Sequence, residues 1–168
     1  MKLTMHAASV GVFEPMLTNL STILDKAVAY AQAKKIDPAV LLPARLAPDM
    51  FPLVRQVQLA SDFAKNSTAR LAGQDPPRFA DEEQTFDDLK ARLARTLDFL
   101  KTVPASALEG AEDRDIRVPL RDRTLELKGL SFLQRFALPN FFFHVTTAYD
   151  ILRHNGLEVG KRDFTGSV

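Results

Sequence analysis

The chain has 168 residues, no cysteine, 46% hydrophobic and 26% charged residues, and 22 basic against 21 acidic side chains. That length suits one domain over residues 1–168 with a core of its own. Lack of cysteine excludes thiol nucleophiles, disulfides and thiolate metal sites, and balanced charge without a block of one sign argues against a nucleic-acid partner.

His6 and Glu14 interrupt the apolar residues of the N-terminus, so no secretory signal is expected and a cytoplasmic setting fits. From about Val10, the residues Phe13, Met16, Leu17, Leu20, Ile23, Leu24, Ala27 and Ala31 recur at three and four, which predicts an amphipathic first helix ending near Lys34-Lys35. A proline-marked connector follows over residues 36–48. Asp49 is the expected N-cap of a second helix, with Pro52 in its first turn and Gly73 beyond its end. That helix runs to about Leu71 with Leu53, Val57, Ala60, Ser61, Ala64 and Thr68 inward, and Gln56 on the shoulder of that face beside Phe63.

Thr85-Phe86-Asp87-Asp88 has the form of a capping box with Asp in place of Glu, and Leu89, Leu93, Leu97 and Leu100 carry a third helix to Pro104. Arg92, Arg95 and Lys101 are assigned to its solvated face. Ile116, Val118 and Leu120, then Leu125 and Leu127, alternate with polar residues around Arg121-Asp122-Arg123, the pattern of a two-stranded hairpin lying against the helices. The last helix starts near Gly129 to Ser131, bends at Pro139, where a donor is lost and Asn140 can compensate, and stops at Asn155-Gly156. The tail beyond Leu157 is expected without regular structure, anchored by Phe164. No segment spans a membrane: the uncharged run from Phe136 to Tyr149 is shorter than the ~20 residues required and contains Asn140 and His144.

The last helix carries the chemistry of interest. Helical periodicity turns His144 inward beside Asn140, Phe141 and Ala148. His144 and His154 are ten residues apart, about 15 Å along a helix, so they cannot share an ion, and position 148 is Ala where a helical His pair would place its partner. Two readings of His144 stay open: a hydrogen-bonded core imidazole, or the one ring able to act as base or acid in a pocket, oriented by Asn140 or Tyr149. Phe132, Phe136 and Phe143 form a ridge on the helix flank that is either covered within the chain or used in a homodimer.

The order helix, connector, helix, crossover, helix, hairpin, helix resembles the DinB/YfiT-like four-helix superfamily. Arg45-Leu-Ala-Pro-Asp-Met50, Leu138-Pro-Asn-Phe-Phe-Phe-His144, Thr146-Thr-Ala-Tyr149, Ile151-Leu-Arg-His-Asn-Gly156 and Gly160-Lys-Arg-Asp-Phe164 are similar to a branch of it known only as a domain of unknown function. The resemblance covers essentially the whole chain. It implies an all-α, DinB-like up-down-down-up bundle with a small β-hairpin between the third and fourth helices. Many superfamily members hold a divalent metal with one His at the start of the second helix and two, four apart, on the last, and some are thiol-cofactor-dependent transferases or isomerases. Here only His144 matches the last-helix pair, and Asp49 and Met50 stand where the second-helix His is expected. The expectation is therefore no metal and no cofactor, with a small-ligand cavity between Asp49, Gln56 and His144, or a dimeric interaction module around it. The rival is a transferase- or isomerase-type enzyme using the same cavity.

Overall fold

In the computed structural model, which describes residues 3–166, four long helices share one core and short elements close its ends. A single turn, α1 (Met5–Ala8), precedes α2 (Val10–Ala33), which buries Phe13, Leu17, Leu20, Leu24 and Ala27 along one side. The connector contains a 3₁₀ turn, Pro38–Leu41, capped by Asp37, whose carboxylate accepts the Ala39 amide at 2.9 Å.

The second long helix, α3 (Leu53–Leu71), does not use Asp49 as its cap. Asp49 is exposed in the loop before it and Pro52 takes the cap position. The reason is backbone chemistry: the Leu53 and Val54 amides donate to the Ala44 and Leu42 carbonyls at 2.9 and 3.1 Å, so the connector supplies acceptors that a capping side chain would otherwise provide.

Helix α4 (Phe86–Thr102) begins with the expected capping box: the Asp88 amide donates to Thr85 Oγ1 and the Thr85 amide to the Asp88 carboxylate. The assignment of Arg92 to its solvated face is overturned, because Arg92 is 1% exposed. It lies on the apolar stripe of Leu89, Leu93 and Thr96, and carbonyls and carboxylates from α3 and from the crossover between α3 and α4 surround it. Arg95, which covers the Phe79 ring at 4.0 Å, and Lys101 are exposed as expected.

Strands β1 (Asp115–Pro119) and β2 (Thr124–Lys128) pair antiparallel with Ile116 opposite Leu127 and Val118 opposite Leu125. Ile116 and Val118 are buried, so the hairpin lies on the helices through one face. Helix α5 (Gly129–Phe132) follows at once. A Cβ on Gly129 would sit 1.8 Å from the Ala111 carbonyl oxygen, so a backbone crossing excludes any side chain there.

One wide π-type turn, Leu133–Ala137, lies just before the expected bend at Pro139 and leads into α6 (Leu138–His154). Pro139 then follows in a helical run continuous with that turn, where it lacks the N–H that such a run would use, and the Asn140 carboxamide donates to the Phe136 carbonyl at 2.7 Å. The tail is more ordered than expected. A short helix, α7 (Lys161–Thr165), is held to α2 by the Lys26–Asp163 ion pair and by Asn19, which donates to the Phe164 carbonyl. The last two residues of that tail, Ser167 and Val168, lie outside the described residues.

Helix α3 packs along α6 and α4, and α2 along α4, α3 and α6. Phe13 of α2 meets Phe141 of α6 edge to face at 4.8 Å in the middle of the core. No helix of the described residues is long and apolar enough to cross a membrane.

Candidate functional site

His144 is 8% exposed on the face of α6 that meets α3. Its Nδ1 lies 2.7 Å from Gln56 Oε1, and Gln56 Nε2 in turn donates to the Phe51 carbonyl at 3.0 Å. That second bond fixes which way the carboxamide points. Oε1 is an acceptor only, so Nδ1 carries the ring proton and Nε2 is left with its lone pair. Nε2 makes no hydrogen bond among the described residues. Because no fully enclosed side-chain nitrogen or oxygen among the described residues lacks a partner, Nε2 must reach solvent.

Aromatic rings hold the imidazole in place: Phe63 of α3 stacks on it at 5.5 Å and Phe143 meets it edge-on at 5.3 Å. Burial pushes its pKa down to about 4, with the positive charge of Arg55 adding to the effect. Arg55 itself is tied to Gln58 and Asp81. Around His144 the described residues thus place a carboxamide, two phenyl rings and a guanidinium, and no carboxylate bonds the ring among them.

Of the five residues expected at the site, the fold brings only Gln56 and His144 together. Asp49 stays exposed in the connector, and Asn140 is engaged with the turn before α6. Tyr149 belongs to the tail: its hydroxyl donates to the Val159 carbonyl at 3.3 Å and its ring meets Phe164. The expected flank ridge is divided, with Phe132 buried, Phe136 packed on Phe63, and Phe143 exposed at 55%.

The superfamily's three-His metal site does not fit these residues. Gln56 faces His144 from α3, Ala148 follows one turn along α6, and Nδ1 is already engaged. Among the described residues no three His, Asp or Glu side chains come close enough together to hold an ion.

This chain belongs to the family described as Domain of unknown function (DUF1993). The family model matches residues 5–165. The crystal structure of a DinB family member protein from Shewanella denitrificans is similar to it, with 44% sequence identity and a TM-score of 0.91 over 97% of this chain and 92% of that one. No curated protein matches. The domain is therefore a branch related to the DinB-like proteins.

Two clefts lie elsewhere on this DUF1993 domain. The larger, about 490 Å³, is walled by α1, Leu108 and Leu130, and its polar groups His6, Glu109 and Glu112 are all at least partly exposed. The smaller, about 240 Å³, lies between α3 and the hairpin and is lined by Phe63 and Phe136. Neither includes His144, so the cavity expected between Asp49, Gln56 and His144 is not one of these two.

Sequence reasoning missed the buried charge cluster beside the site. Lys65, 3% exposed, donates to Asn66 Oδ1 and the Pro77 carbonyl and pairs with Asp62 at 3.0 Å; Arg92 shares the same Asp62 oxygen at 2.8 Å. Every donor of the Lys65 ammonium is used, which makes it a tether and not a nucleophile. Position alone could have signalled Arg92, since it stands three residues from Leu89 and four from Thr96 on a stripe that is otherwise inward.

Proposed function

We propose that this domain is a cytoplasmic, up-down-down-up four-helix binding module in which an imidazole–carboxamide pair stands in place of the superfamily's metal site. His144 Nε2 receives the hydrogen-bond donor of a small ligand whose apolar part rests on Phe143. The supporting observation is the locked tautomer: Nδ1 is committed to Gln56, so Nε2 is an acceptor held in one direction at the edge of an apolar surround. Binding is favoured over acid–base catalysis because a ring with a pKa near 4 is a weak base at neutral pH, and efficient general bases lie near the working pH. No carboxylate orients the ring to strengthen it.

The test is nitrogen NMR of the imidazole. The expected spectrum has a protonated Nδ1 and an unprotonated Nε2 at pH 7, and aromatic alcohols or amides that stabilise the protein against heat should move the Nε2 resonance. Such a ligand at a hundredfold excess over its Kd adds about 2.7 kcal/mol of stability. A proton on Nε2, or stabilising ligands that act equally on His144→Phe, would remove this reading.

The exposure of Phe143 and Phe51, both 55%, favours a second use of the same surface, a two-fold contact between copies of the chain. Sedimentation at micromolar concentration should then show a dimer that Phe143→Asp converts to monomer. A wild-type monomer would leave the ligand reading standing alone.

A further inference from the structure

The cleft between α3 and the hairpin holds a group that neither the fold nor the His144 site explains. Ser67 is 2% exposed, yet its hydroxyl makes no hydrogen bond among the described residues. Since no fully enclosed polar side-chain atom among the described residues lacks a partner, that hydroxyl opens into the cleft it lines. One turn further along α3, Arg70 lines the same cleft and has no carboxylate partner among the described residues, where its side chain makes one long hydrogen bond, 3.5 Å to the Asn66 carbonyl. Burial without a countercharge lowers the Arg70 pKa. Asn66 completes the polar edge, its Oδ1 taken by Lys65 and its amide hydrogens unassigned.

These three side chains present donors, while Phe63 of the same helix and Phe136, Val118 and Leu120 make the rest of the lining largely apolar. The single carboxylate in the cleft, Asp62, is occupied by Lys65 and Arg92. A position in the last turn of α3 accounts for a cation at residue 70 through the helix dipole. It does not account for a hydroxyl that opens into the cleft without a bond to any described residue.

We infer that this cleft is a binding site for a small monocarboxylic acid with a compact ring or branched hydrocarbon body, its carboxylate held by Arg70 and Ser67 and its body packed on Phe63 and Phe136. The size agrees. An apolar cavity of about 150 Å³ holds a benzene ring, and the cleft's volume is about 240 Å³, leaving room for a ring and one carboxylate. A singly charged carboxylate suits the site better than a phosphate dianion because Asp62 stands beside it. This site does not depend on the reading of His144.

Benzoate titrated into the full-length domain and followed by amide NMR provides the test, with benzamide as the neutral match and phenyl phosphate as the dianion. Saturable shifts at the Ser67, Arg70 and Leu120 amides are expected. Benzamide should bind about tenfold or more weakly, as should benzoate to Arg70→Gln, because the interaction lost is a charge-assisted hydrogen bond. The one hydrogen bond given to Arg70 is a long one within its own helix, so that variant should keep the fold, with spectral changes confined to the cleft; Ser67→Ala should weaken benzoate severalfold. Absence of saturation at millimolar benzoate, affinity unchanged in Arg70→Gln, or tighter binding of phenyl phosphate than of benzoate would overturn the assignment.

Discussion

Replacing Arg92 with methionine is expected to destabilise the protein by about 3–5 kcal/mol in urea or guanidinium unfolding at pH 7. The guanidinium is buried and every nitrogen is used: Nε donates to Ser61 Oγ at 3.2 Å, Nη1 to the Ala80 carbonyl at 3.0 Å and Glu83 at 2.9 Å, and Nη2 to Asp62 at 2.8 Å. Burial opposes the charge, but the Glu83 bond and the Asp62 field outweigh it and raise the pKa above that of an ordinary arginine. Methionine would fill much of the volume and leave Glu83, 10% exposed, and Asp62, 23% exposed, without their shared cation. Asp81 is 41% exposed and adds little once water screens it. Arg92→Lys should recover only part of the loss, because one ammonium cannot reach four partners in the directions that the planar fork does. The crossover from Gly73 to Gln84 has no regular structure, and Arg92 is one of its fastenings beside Lys65 on Pro77, Arg55 on Asp81 and Gln58 on Glu83, so the methionine variant should also be cut there by protease faster than the wild type. A loss under about 1 kcal/mol would mean that the pairs behave as solvated surface bridges.

That cluster marks the boundary of what the sequence discloses. The capping box at Thr85 joins residues three apart, and the hairpin follows from alternation on either side of a single turn, so local geometry realised both. Arg92 finds its partners 9, 12 and 30 or more residues away, on two other segments, and no local pattern carries that information. Asp49 failed as a cap for the same reason: the acceptors that satisfy Leu53 and Val54 come from a connector whose path sequence spacing does not specify. At the site, helical period alone turned His144 inward, and the same argument put Gln56 on the edge of its helix face. Whether those two faces meet at these residues depends on the register between α3 and α6, which packing decides. Tyr149 was drawn away by a tail that forms a helix turn instead of lying loose.

Between about pH 6.5 and pH 4, His144 alone is expected to remove about 3 kcal/mol of stability. Its folded pKa, about 4, is depressed below the ordinary histidine value of 6.5. Above that ordinary value both folded and unfolded chains hold a neutral ring, and the contribution is fully present. As pH falls the unfolded chain takes up the proton first, while the folded chain refuses it until about 4; stability therefore drops across the interval and levels off below it. The cause is burial, then the nearby Arg55 charge, and not loss of the Gln56 bond, since a protonated ring still donates from Nδ1. Two controls separate this ring from the carboxylates that titrate in acid. His144→Gln should lack this part of the pH slope, so the wild-type curve minus the variant curve isolates it. Arg55→Gln should raise the His144 pKa and narrow the interval, with a smaller total loss. Proton NMR titration of the ring gives the value directly. A midpoint near 6.5 would mean a hydrated imidazole, protonated at Nε2 for much of the range near neutrality, and an acceptor of that kind could not define a ligand's orientation.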